Sequence, residues 1–507
     1  MPGRDIDVAD KQRLRRRHAA QGLGTRPQPA GWYMIFASRA PPVAAPRGES
    51  RAVGAGVEGR LMNIIICGAG QVGTHAAEVL VAAGHDITVI DIDPERLQAV
   101  ADTMDVATCC GNGAEAAVQR EAGGDHCDLL LAATGSDEIN LLTATIAKGV
   151  GATKTIARVH HGSFFEHRGL DYRQYLSIDR LICPEYSTAL AIASTLRNPG
   201  ALAIETFARG AIQMQQFPVS DDATAIGKPL SELSLPLGTR LAAITRNGEA
   251  FIPEASSAVQ PGDTVILVGN ASAFQDARKL FHDDKLGRRR VVLMGGPAMA
   301  VWLCRALHDR NFSIRLFETD QQRAEELADK LDWVTVLQAS PTDRNVFEEE
   351  HIGQADVFVA LRGDDEDNII ASVLAKSLGV TQVIAVVAGS TYLDLVYHLG
   401  VDHAFSPSVV ATTEIQMTLD DRPLQQLSSL ADGVVDAYRV RVGDDAPVIG
   451  KALREVKLTP HWIVAAIRRG DRAWVPGPDD TLQPTDTALV IGPHGRDKEL
   501  KKLFAAG

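Results

Sequence analysis

The sequence predicts an α/β fold, in which a doubly wound, Rossmann-like parallel-sheet domain is followed by a small α+β module and the pair is duplicated in tandem. Three observations predict it. Strand-like apolar runs alternate with helical stretches from residue 62 onward. Aromatic residues make up 5% of a chain that is 45% hydrophobic. The same order of segments then returns in the second half.

The first half begins with strand-like runs separated by helical stretches: "NIIIC", "DITVID", "VATCC", "DLLLAAT", "KTIARV" and "RLICP". Strands that alternate with helices of this length favour a parallel, doubly wound sheet. Residues 200–282 differ, because short strands such as "AIQMQQFPV" and "DTVILVG" are followed by one closing helix. This segment is predicted to be a small α+β module.

The duplication is visible as ungapped matches between the two halves. The run from Asp128 matches the run from Asp356 at an offset of 228, and "PGDTVILVG" at 261 matches "PTDTALVIG" at 484 at an offset of 223. Matches in both modules indicate that the whole unit was repeated. The predicted sheet domains are 62–198 and 288–412, and the predicted modules are 199–284 and 413–507.

The charge is distributed unevenly along the chain. Residues 1–61 hold 11 basic and 5 acidic residues, whereas the rest holds 40 basic and 59 acidic ones. The first segment lacks apolar periodicity, so we expect it to be disordered or to precede the true start at Met62, with a targeting segment as an alternative. The acidic body argues against nucleic acid as a partner. No apolar run reaches about 18 residues, so we expect no direct membrane insertion.

A nucleotide site is predicted at the first glycine-rich turn. Gly68, Gly70 and Gly73 form G-x-G-x-x-G between a strand and a helix, the context in which the motif holds a pyrophosphate. The first glycine permits the turn, the second admits the phosphates and the third lets helix and strand approach. Asp91 ends the second strand, where an acid binds ribose hydroxyls and repels a 2′-phosphate. NAD(H) or an adenine nucleotide is therefore favoured over NADP.

Further candidates follow from the doubly wound order, which places the fourth strand beside the first. Thr134 and Gly135 then face the phosphate crevice, and Arg158 is expected to reach in from the same rim as a hydrogen-bond donor to a phosphate or to a partner ligand. Asn112, in the loop "CGNG", lies near the predicted adenine position. Ordinary turn glycines and a surface arginine remain the alternative interpretation.

No metal site is predicted. His160 and His161 are adjacent, and neighbours on a strand face opposite sides, so a surface loop is the favoured location. The acidic run "GDDEDN" at 363–368 is interpreted as a helix N-cap. The six cysteines form no CxxC pair and mostly lie in apolar, strand-like runs, so they are expected to be reduced, buried thiols, which fits a cytoplasmic protein.

The second glycine turn departs from the motif. Pro297 replaces the glycine that admits the pyrophosphate, and Ala300 replaces the one that packs against the strand. Glu318 keeps the acidic position, but Val386 stands where the first half has Arg158. We expect the second nucleotide site to be weakened or lost while its fold is kept.

These motifs, repeated in the order nucleotide domain, module, nucleotide domain, module, resemble the TrkA family of potassium uptake proteins over residues 62–507. The resemblance implies two RCK (or KTN) units per chain, each with an RCK-N and an RCK-C part. It also implies a cytoplasmic homotetrameric ring, peripheral on the inner face of the cell membrane, that gates a potassium-translocating subunit of a Trk-type system in response to NAD(H), ATP or ADP. The nucleotide contacts that it implies are Gly68, Ala69, Gly70, Gln71, Val72, Gly73, Asp91, Thr134, Gly135 and Arg158.

Two other functions fit parts of the sequence. An NAD-dependent dehydrogenase would use the same glycine turn, but it needs a second domain that brings a general acid or base to the nicotinamide, and the repeat offers no such constellation. A cytosolic gating module of a cation/proton exchanger usually hangs from a transmembrane segment of the same chain. A non-enzymatic regulatory subunit is therefore the favoured interpretation.

Overall fold

The computed structural model describes residues 61–165, 170–197, 203–207, 211–282, 287–308, 311–340, 344–389, 391–419, 422–430, 434–456, 458, 462–470 and 472–504. The basic segment predicted to be disordered, residues 1–61, lies outside this set apart from Leu61. Among the described residues, no helix is long and apolar enough to cross a bilayer.

The first sheet domain is doubly wound, as predicted. Its elements are β1 (Asn63–Cys67), α1 (Gln71–Ala82), β2 (Asp86–Asp91), α2 (Pro94–Thr103), β3 (Ala107–Cys110), α3 (Ala116–Glu121), β4 (Leu129–Ala132), α4 (Asp137–Val150), β5 (Lys154–Arg158), α5 (Gly162–Phe165), α6 (Tyr172–Tyr175), β6 (Arg180–Ile182) and α7 (Pro184–Arg197). The strands are parallel in the order β3-β2-β1-β4-β5-β6. The switch between β1 and β4 puts their carboxyl ends beside one crevice.

The first module is an antiparallel sheet with a closing helix. It comprises β7 (Ala203–Phe207), β8 (Ile212–Pro218), β9 (Thr239–Arg246), β10 (Glu249–Phe251), β11 (Thr264–Asn270) and α8 (Ala271–Arg278). The strand order is β10-β9-β11-β8-β7, and the pairs are antiparallel. Strand β7 was not predicted from the sequence.

The second half repeats both the sheet domain and the small module. Its sheet domain contains β12 (Arg289–Met294), α9 (Ala298–Ala306), β13 (Phe312–Glu318), α10 (Gln321–Lys330), β14 (Thr335–Gln338), α11 (Arg344–Glu349), β15 (Val357–Ala360), α12 (Asp365–Ser377), β16 (Gln382–Val386), α13 (Thr391–His398), β17 (His403–Phe405) and α14 (Pro407–Leu419). Its module contains β18 (Leu424–Leu430), β19 (Val435–Arg441), β20 (Ile463–Arg469), β21 (Arg472–Trp474), β22 (Thr487–Pro493) and α15 (Asp497–Phe504). The orders β14-β13-β12-β15-β16-β17 and β18-β19-β22-β20-β21 match those of the first half, which confirms the predicted duplication.

Local sequence explains the helix that carries the glycine turn. Val72, Ala76 and Leu80 recur at helical spacing and are buried against the sheet. The helix ends where Gly84 adopts φ +88, a left-handed conformation that glycine reaches without strain. The turn before α1 is thus held by a buried helix face.

The last helix of each sheet domain packs on the other half of the chain. Ile192 and Leu196 of α7 are fully buried in the core formed by β12, α9 and β15. Ala411 and Ile415 of α14 are buried in the core of the first sheet, against α1. Each half therefore completes the other's hydrophobic core.

This exchange corrects one expectation and shows that the two halves depend on one another. The predicted boundary between 412 and 413 falls inside α14, because the helix continues from Pro407 to Leu419 to cover the first sheet. Residues 62–284 and 288–507 would each expose an apolar face if separated. Their binding properties must therefore be compared in the full chain.

Candidate functional site

The first and third glycines of the first turn are required by its backbone. Gly68 has φ +109, and a Cβ on it would lie 2.8 Å from the carbonyl oxygen of Ala133 at the end of β4. A Cβ on Gly73 would lie 1.9 Å from the carbonyl oxygen of Gly68. Side chains at these positions would force the turn open, so both glycines keep helix and strands close.

The second glycine faces open space. Gly70 is the N-cap of α1 with φ −82 and ψ −176, and a Cβ on it would have no atom within 4 Å. Beside it, Gln71 begins the helix with an exposed side chain, whereas Val72 is buried in the core. The open space lies at a helix N-terminus, whose free N–H groups and dipole favour a phosphate. The geometry at Gly70 therefore fits a pyrophosphate.

Asp91 fastens the turn from the end of β2. Its Oδ2 accepts a hydrogen bond from the amide of Ala69 at 2.6 Å, and its Oδ1 accepts one from the amide of Asp93 at 2.9 Å. Each carboxylate oxygen can accept a second bond. The same acid can thus hold the turn in shape and receive a ribose hydroxyl.

The loop after β4 closes the opposite wall of the crevice. The Oγ1 and amide of Thr134 donate to the Oδ1 of Asn140, at 2.7 and 2.8 Å. The Nδ2 of Asn140 donates to the carbonyls of Thr134 and Arg158, so this fully buried amide joins the loops after β4 and β5. Gly135 leaves open space, with no atom within 4 Å of a Cβ on it. The sequence reasoning did not single out Asn140.

Arg158 lies at the carboxyl end of β5, on the predicted rim. Its Nη2 forms an ion pair of 2.7 Å with Glu185 at the start of α7, and both side chains are largely buried. A phosphate would have to share or displace this carboxylate. Through Glu185, Arg158 also connects the rim of this crevice to α7, the helix that packs on the second half.

Asn112 follows β3 at the same edge of the sheet. Its side chain is exposed, and its Oδ1 accepts a hydrogen bond from the amide of Ala114 at 3.0 Å. The neighbouring Gly113 is constrained, because a Cβ there would lie 2.9 Å from the Sγ of Cys67. The loop is a tight turn with one exposed amide side chain.

His160 and His161 lie in the loop after β5, as expected, but they do not face opposite sides. Their Nδ1 atoms approach the two oxygens of Asp137 at 2.7 and 3.3 Å, and their amides donate to the same carboxylate. The strand rule fails because the chain leaves the extended conformation after Arg158. Burial alone raises the pKa of Asp137, but the hydrogen bonds from the two histidines outweigh it and lower the pKa overall. Among the described residues, no group of three metal-ligating side chains is brought together.

The equivalent acid in the second half has the same backbone role. Asp365 accepts the amides of Ala388 and Gly389 at 2.8 and 3.1 Å. Asp364 is the N-cap of α12 and accepts the amide of Asp367, which confirms that the acidic run is a helix cap. Asp137 and Asp365 are therefore structural groups that both halves retain.

The second glycine turn keeps the backbone shape of the first, but Pro297 stands where Gly70 leaves open space in the first turn. Gly295 has φ +94, as Gly68 has φ +109, and Pro297 is the N-cap of α9 with φ −65 and ψ 174. Glu318 accepts amide hydrogen bonds from Gly296, Thr319 and Asp320. Burial opposes ionisation of Glu318, but these bonds lower its pKa.

Arginine side chains occupy the second crevice. The Nε of Arg323 donates to the carbonyl of Gly296 at 3.0 Å, and its side chain is 32% exposed. The first-half equivalent, Arg96, is 61% exposed and pairs with Asp93 instead. Arg362, in the position of Thr134, pairs with Asp367 at 2.7 Å.

The cysteines are free thiols, as predicted, but they are not all buried: Cys109 is partly exposed and Cys110 is exposed, because both lie in β3 at the edge of the sheet. Cys67, Cys127, Cys183 and Cys304 are buried, and burial raises the pKa of Cys127 to about 11 and that of Cys304 to about 12. Because thiolate is the reactive form, these thiols are inert near neutral pH.

Family models and relatives agree with this architecture. The TrkA-N domain model matches residues 64–184 and 291–407, and the TrkA-C domain model matches 214–282 and 437–505. A "Trk system potassium uptake protein TrkA homolog" of Archaeoglobus fulgidus is 32% identical over 443 residues, covering 87% of this chain and 100% of the relative. The chain belongs to the TrkA family. A TrkA protein of Halomonas elongata is 31% identical over 457 residues, covering 88% of this chain and 99% of its own.

Solved structures of RCK proteins share the fold. The GsuK RCK domain superposes with a TM-score of 0.56 at 17% identity, covering 89% of this chain and 96% of its own. A structure named "GsuK channel bound to NAD" has a TM-score of 0.56 at 15% identity, covering 89% of this chain and 80% of its own. At these identities the likeness concerns the fold alone. With the TrkA family models, it confirms the tandem α/β architecture.

Proposed function

We propose that this TrkA-family chain is a cytoplasmic, nucleotide-sensing regulatory subunit that gates a membrane potassium uptake system. The observation that carries the proposal is the first glycine turn, in which Gly70 leaves open space at a helix N-terminus. The relatives are named for potassium uptake, which supplies the transport role. No substrate chemistry is needed, because a regulator requires only different affinities for two conformations.

The proposed ligand is NAD(H), with ATP or ADP as adenine-containing alternatives. The turn from Gly68 to Gly73 and the start of α1 would hold its phosphates, and Asp91 would accept ribose hydroxyls. Thr134 and Gly135 would form the opposite wall, with Asn112 near the base. One related fold was solved with NAD bound, which is consistent with this choice.

The two halves have different proposed roles. Pro297, Val386 and the Arg323 side chain oppose nucleotide binding in the second crevice, so the first half senses nucleotide and the second mainly supports assembly. The domains are proposed at 62–198, 199–284, 288–419 and 422–507, with the third boundary moved beyond α14. A homotetrameric ring is the proposed assembly, docked on a potassium-translocating subunit at the inner face of the membrane.

The structure suggests how the first crevice could influence the rest of the chain. Arg158 lies on the crevice rim and pairs with Glu185 at the start of α7. Further along α7, Ile192 and Leu196 are buried in the second half. A phosphate that competes for Arg158 would weaken its hold on Glu185 and thereby alter the seating of α7. This path is the proposed route from nucleotide to the ring.

The test is potassium transport by the reconstituted system. The chain should co-purify with a multi-span potassium transporter, and added nucleotide should change rubidium flux through proteoliposomes that contain both proteins. Gly70→Pro should abolish the nucleotide response while the ring remains assembled, whereas Gly149→Ala, at an exposed position near the C-terminal end of α4 where a Cβ meets no atom, should keep it.

A rubidium flux that is the same with and without the chain would contradict the gating role. Substrate-dependent oxidation or reduction of NAD(H) by the purified protein, abolished by Asp91→Ala, would support a dehydrogenase instead.

A further inference from the structure

A second cavity lies at the edge of the first sheet opposite the glycine turn. It has a volume of about 400 Å³ and is lined by the amino ends of β1, β2 and β3 and by residues from the segment before β4. Because the strands are parallel, this edge is remote from their carboxyl ends, where the nucleotide crevice lies. The cavity is therefore separate from the proposed nucleotide site.

Two aspartates, one histidine and a buried cysteine are the ionisable residues that line the cavity. Asp86 begins β2, and Asp105 precedes β3. Within the described part of the chain, neither carboxylate forms an ion pair with a basic side chain, and no lysine or arginine lines the cavity. The lining histidine, His126, is close to Asp125 at 3.4 Å. Both aspartates are exposed to solvent, so the cavity presents two accessible carboxylates with no lysine or arginine beside them among the described residues.

The second half shows a guanidinium at the equivalent place. Arg315 of β13 corresponds to Thr88 of β2, since Arg315 pairs in register with Val292 and Thr88 with Ile65. The Nη1 of Arg315 donates to the carbonyl of Glu350 at 2.7 Å and lies 3.7 Å from its carboxylate. This side chain crosses from the strand to the end of α11.

The first half lacks both charged side chains of this contact but keeps the equivalent backbone carbonyl. Ala122 corresponds to Glu350: each follows a short helix, and the next residue, Gly123 or His351, has a positive φ of +88 or +51. Thr88 and Ala122 are too short to meet, and both line the open cavity. The second half therefore holds a guanidinium across this gap, whereas the first half has two exposed carboxylates beside an open space.

We propose that this cavity binds a small organic cation that carries a guanidinium group. The guanidinium takes the place that Arg315 holds in the second half, with the carbonyl of Ala122 as the counterpart of the Glu350 carbonyl. Asp86 and Asp105 supply the opposite charge, and a planar group with several N–H donors suits two carboxylates and a carbonyl. The site is independent of the nucleotide role.

The test is calorimetric titration of the full-length protein with agmatine at 0.15 M salt. Agmatine should bind saturably at one site per chain. Cadaverine, a dication of similar length with an ammonium in place of the guanidinium, should bind at least tenfold more weakly. Absence of saturable agmatine binding, or equal binding of cadaverine, would overturn the proposal.

Two double variants locate the site. Thr88→Arg with Ala122→Glu reproduces the second-half contact inside the cavity, and Asp86→Asn with Asp105→Asn removes its charge. Each should weaken agmatine binding at least tenfold while nucleotide affinity, measured on the same preparation, is unchanged. Nucleotide affinity reports that each variant is folded, and the charge variant tests the site even where the filled one is unstable.

A charge-matched control separates this site from general attraction to an acidic protein. Asp102→Asn with Asp276→Asn changes the net charge equally at exposed positions outside the cavity. Agmatine affinity should be unaffected. An equal loss in this control and in the cavity variants would show non-specific charge attraction and refute the site.

Discussion

Gly70→Pro should separate nucleotide binding from folding. Gly70 has φ −82 and ψ −176, close to the φ −65 and ψ 174 of its counterpart Pro297, so the existing backbone accepts proline. Within the described residues, the amide of Gly70 donates no hydrogen bond that proline would remove. The free energy of unfolding should therefore stay the same or rise by about 0.4–1 kcal/mol, because proline restricts the unfolded chain.

The same substitution should strongly weaken the nucleotide complex. The pyrrolidine ring enters the open space that the phosphates need, and one N–H donor to a charged group is lost, a loss of about 1.5–3 kcal/mol. Affinity should fall at least tenfold, which corresponds to about 1.4 kcal/mol. Titration calorimetry with NADH, ATP and ADP measures this loss, and thermal unfolding of the ligand-free protein measures stability.

Gly70→Ala is the matched control, since it adds a Cβ to the same open space but keeps the N–H group. Its affinity should lie between those of the wild type and the proline variant. Unchanged nucleotide affinity in Gly70→Pro would refute the assignment of the phosphate site. A large loss of stability would show that the turn, rather than the ligand space, was disturbed.

Three further predictions concern packing, pH and the second crevice. Ile415→Ala should lower the free energy of unfolding by about 2–5 kcal/mol, because Ile415 is fully buried in the first half's core, whereas Met417→Ala on the exposed side of α14 should change it by at most about 0.5 kcal/mol; equal effects in denaturant titrations would contradict the helix exchange. Asp137→Asn should lower the free energy of unfolding by about 1–3 kcal/mol at pH 7. The difference between variant and wild type should disappear as the pH falls below about 4 through the lowered pKa of Asp137, since protonation removes the same acceptor from the wild type. A difference that persists at low pH would argue against a role for the ionised carboxylate. Pro297→Gly with Arg323→Ala should create measurable nucleotide binding in the second half, detected by calorimetry with the first site blocked, and no gain would show that other groups close that crevice.

Local patterns were sufficient to predict the sheets and the glycine turn. Apolar alternation and helical spacing are encoded within each segment. Because the sequence is repeated, the elements predicted for one half could also be compared with those predicted for the other. Gly73 is required by a local contact with the carbonyl oxygen of Gly68, five residues earlier, which is why the spacing of the motif could be interpreted directly. The substitution by Pro297 was equally visible.

The exchange of α7 and α14 was not predictable in the same way. The apolar faces that contain Ile192 and Ile415 show that each helix is buried, but they do not identify the sheet that covers it. That choice depends on contacts between residues far apart in the sequence, such as the donation from Arg289 to the carbonyl of Leu196, which are 93 positions apart. Sequence periodicity carries no information about such partners.

The sequence predicted the backbone turn of the candidate site, but only part of the hydrogen bonds and ion pairs between its polar side chains. Asp137 and Asn140 recur in the second half as Asp365 and Asn368, so the repeat held a signal that was not used. The pairing of Arg158 with Glu185 had no such signal, because Val386 and Ser408 occupy the equivalent positions. Charge partners brought together by a turn can be recognised only once the turn is known.

The most direct test of the central claim is the stoichiometry of nucleotide binding to the full-length protein. Calorimetric titration should find one NAD(H) or adenine nucleotide per chain, absent in Gly70→Pro and retained when Glu318→Gln alters the second crevice. Two equivalent nucleotides per chain, or binding that survives Gly70→Pro and is lost with Glu318→Gln, would contradict the account.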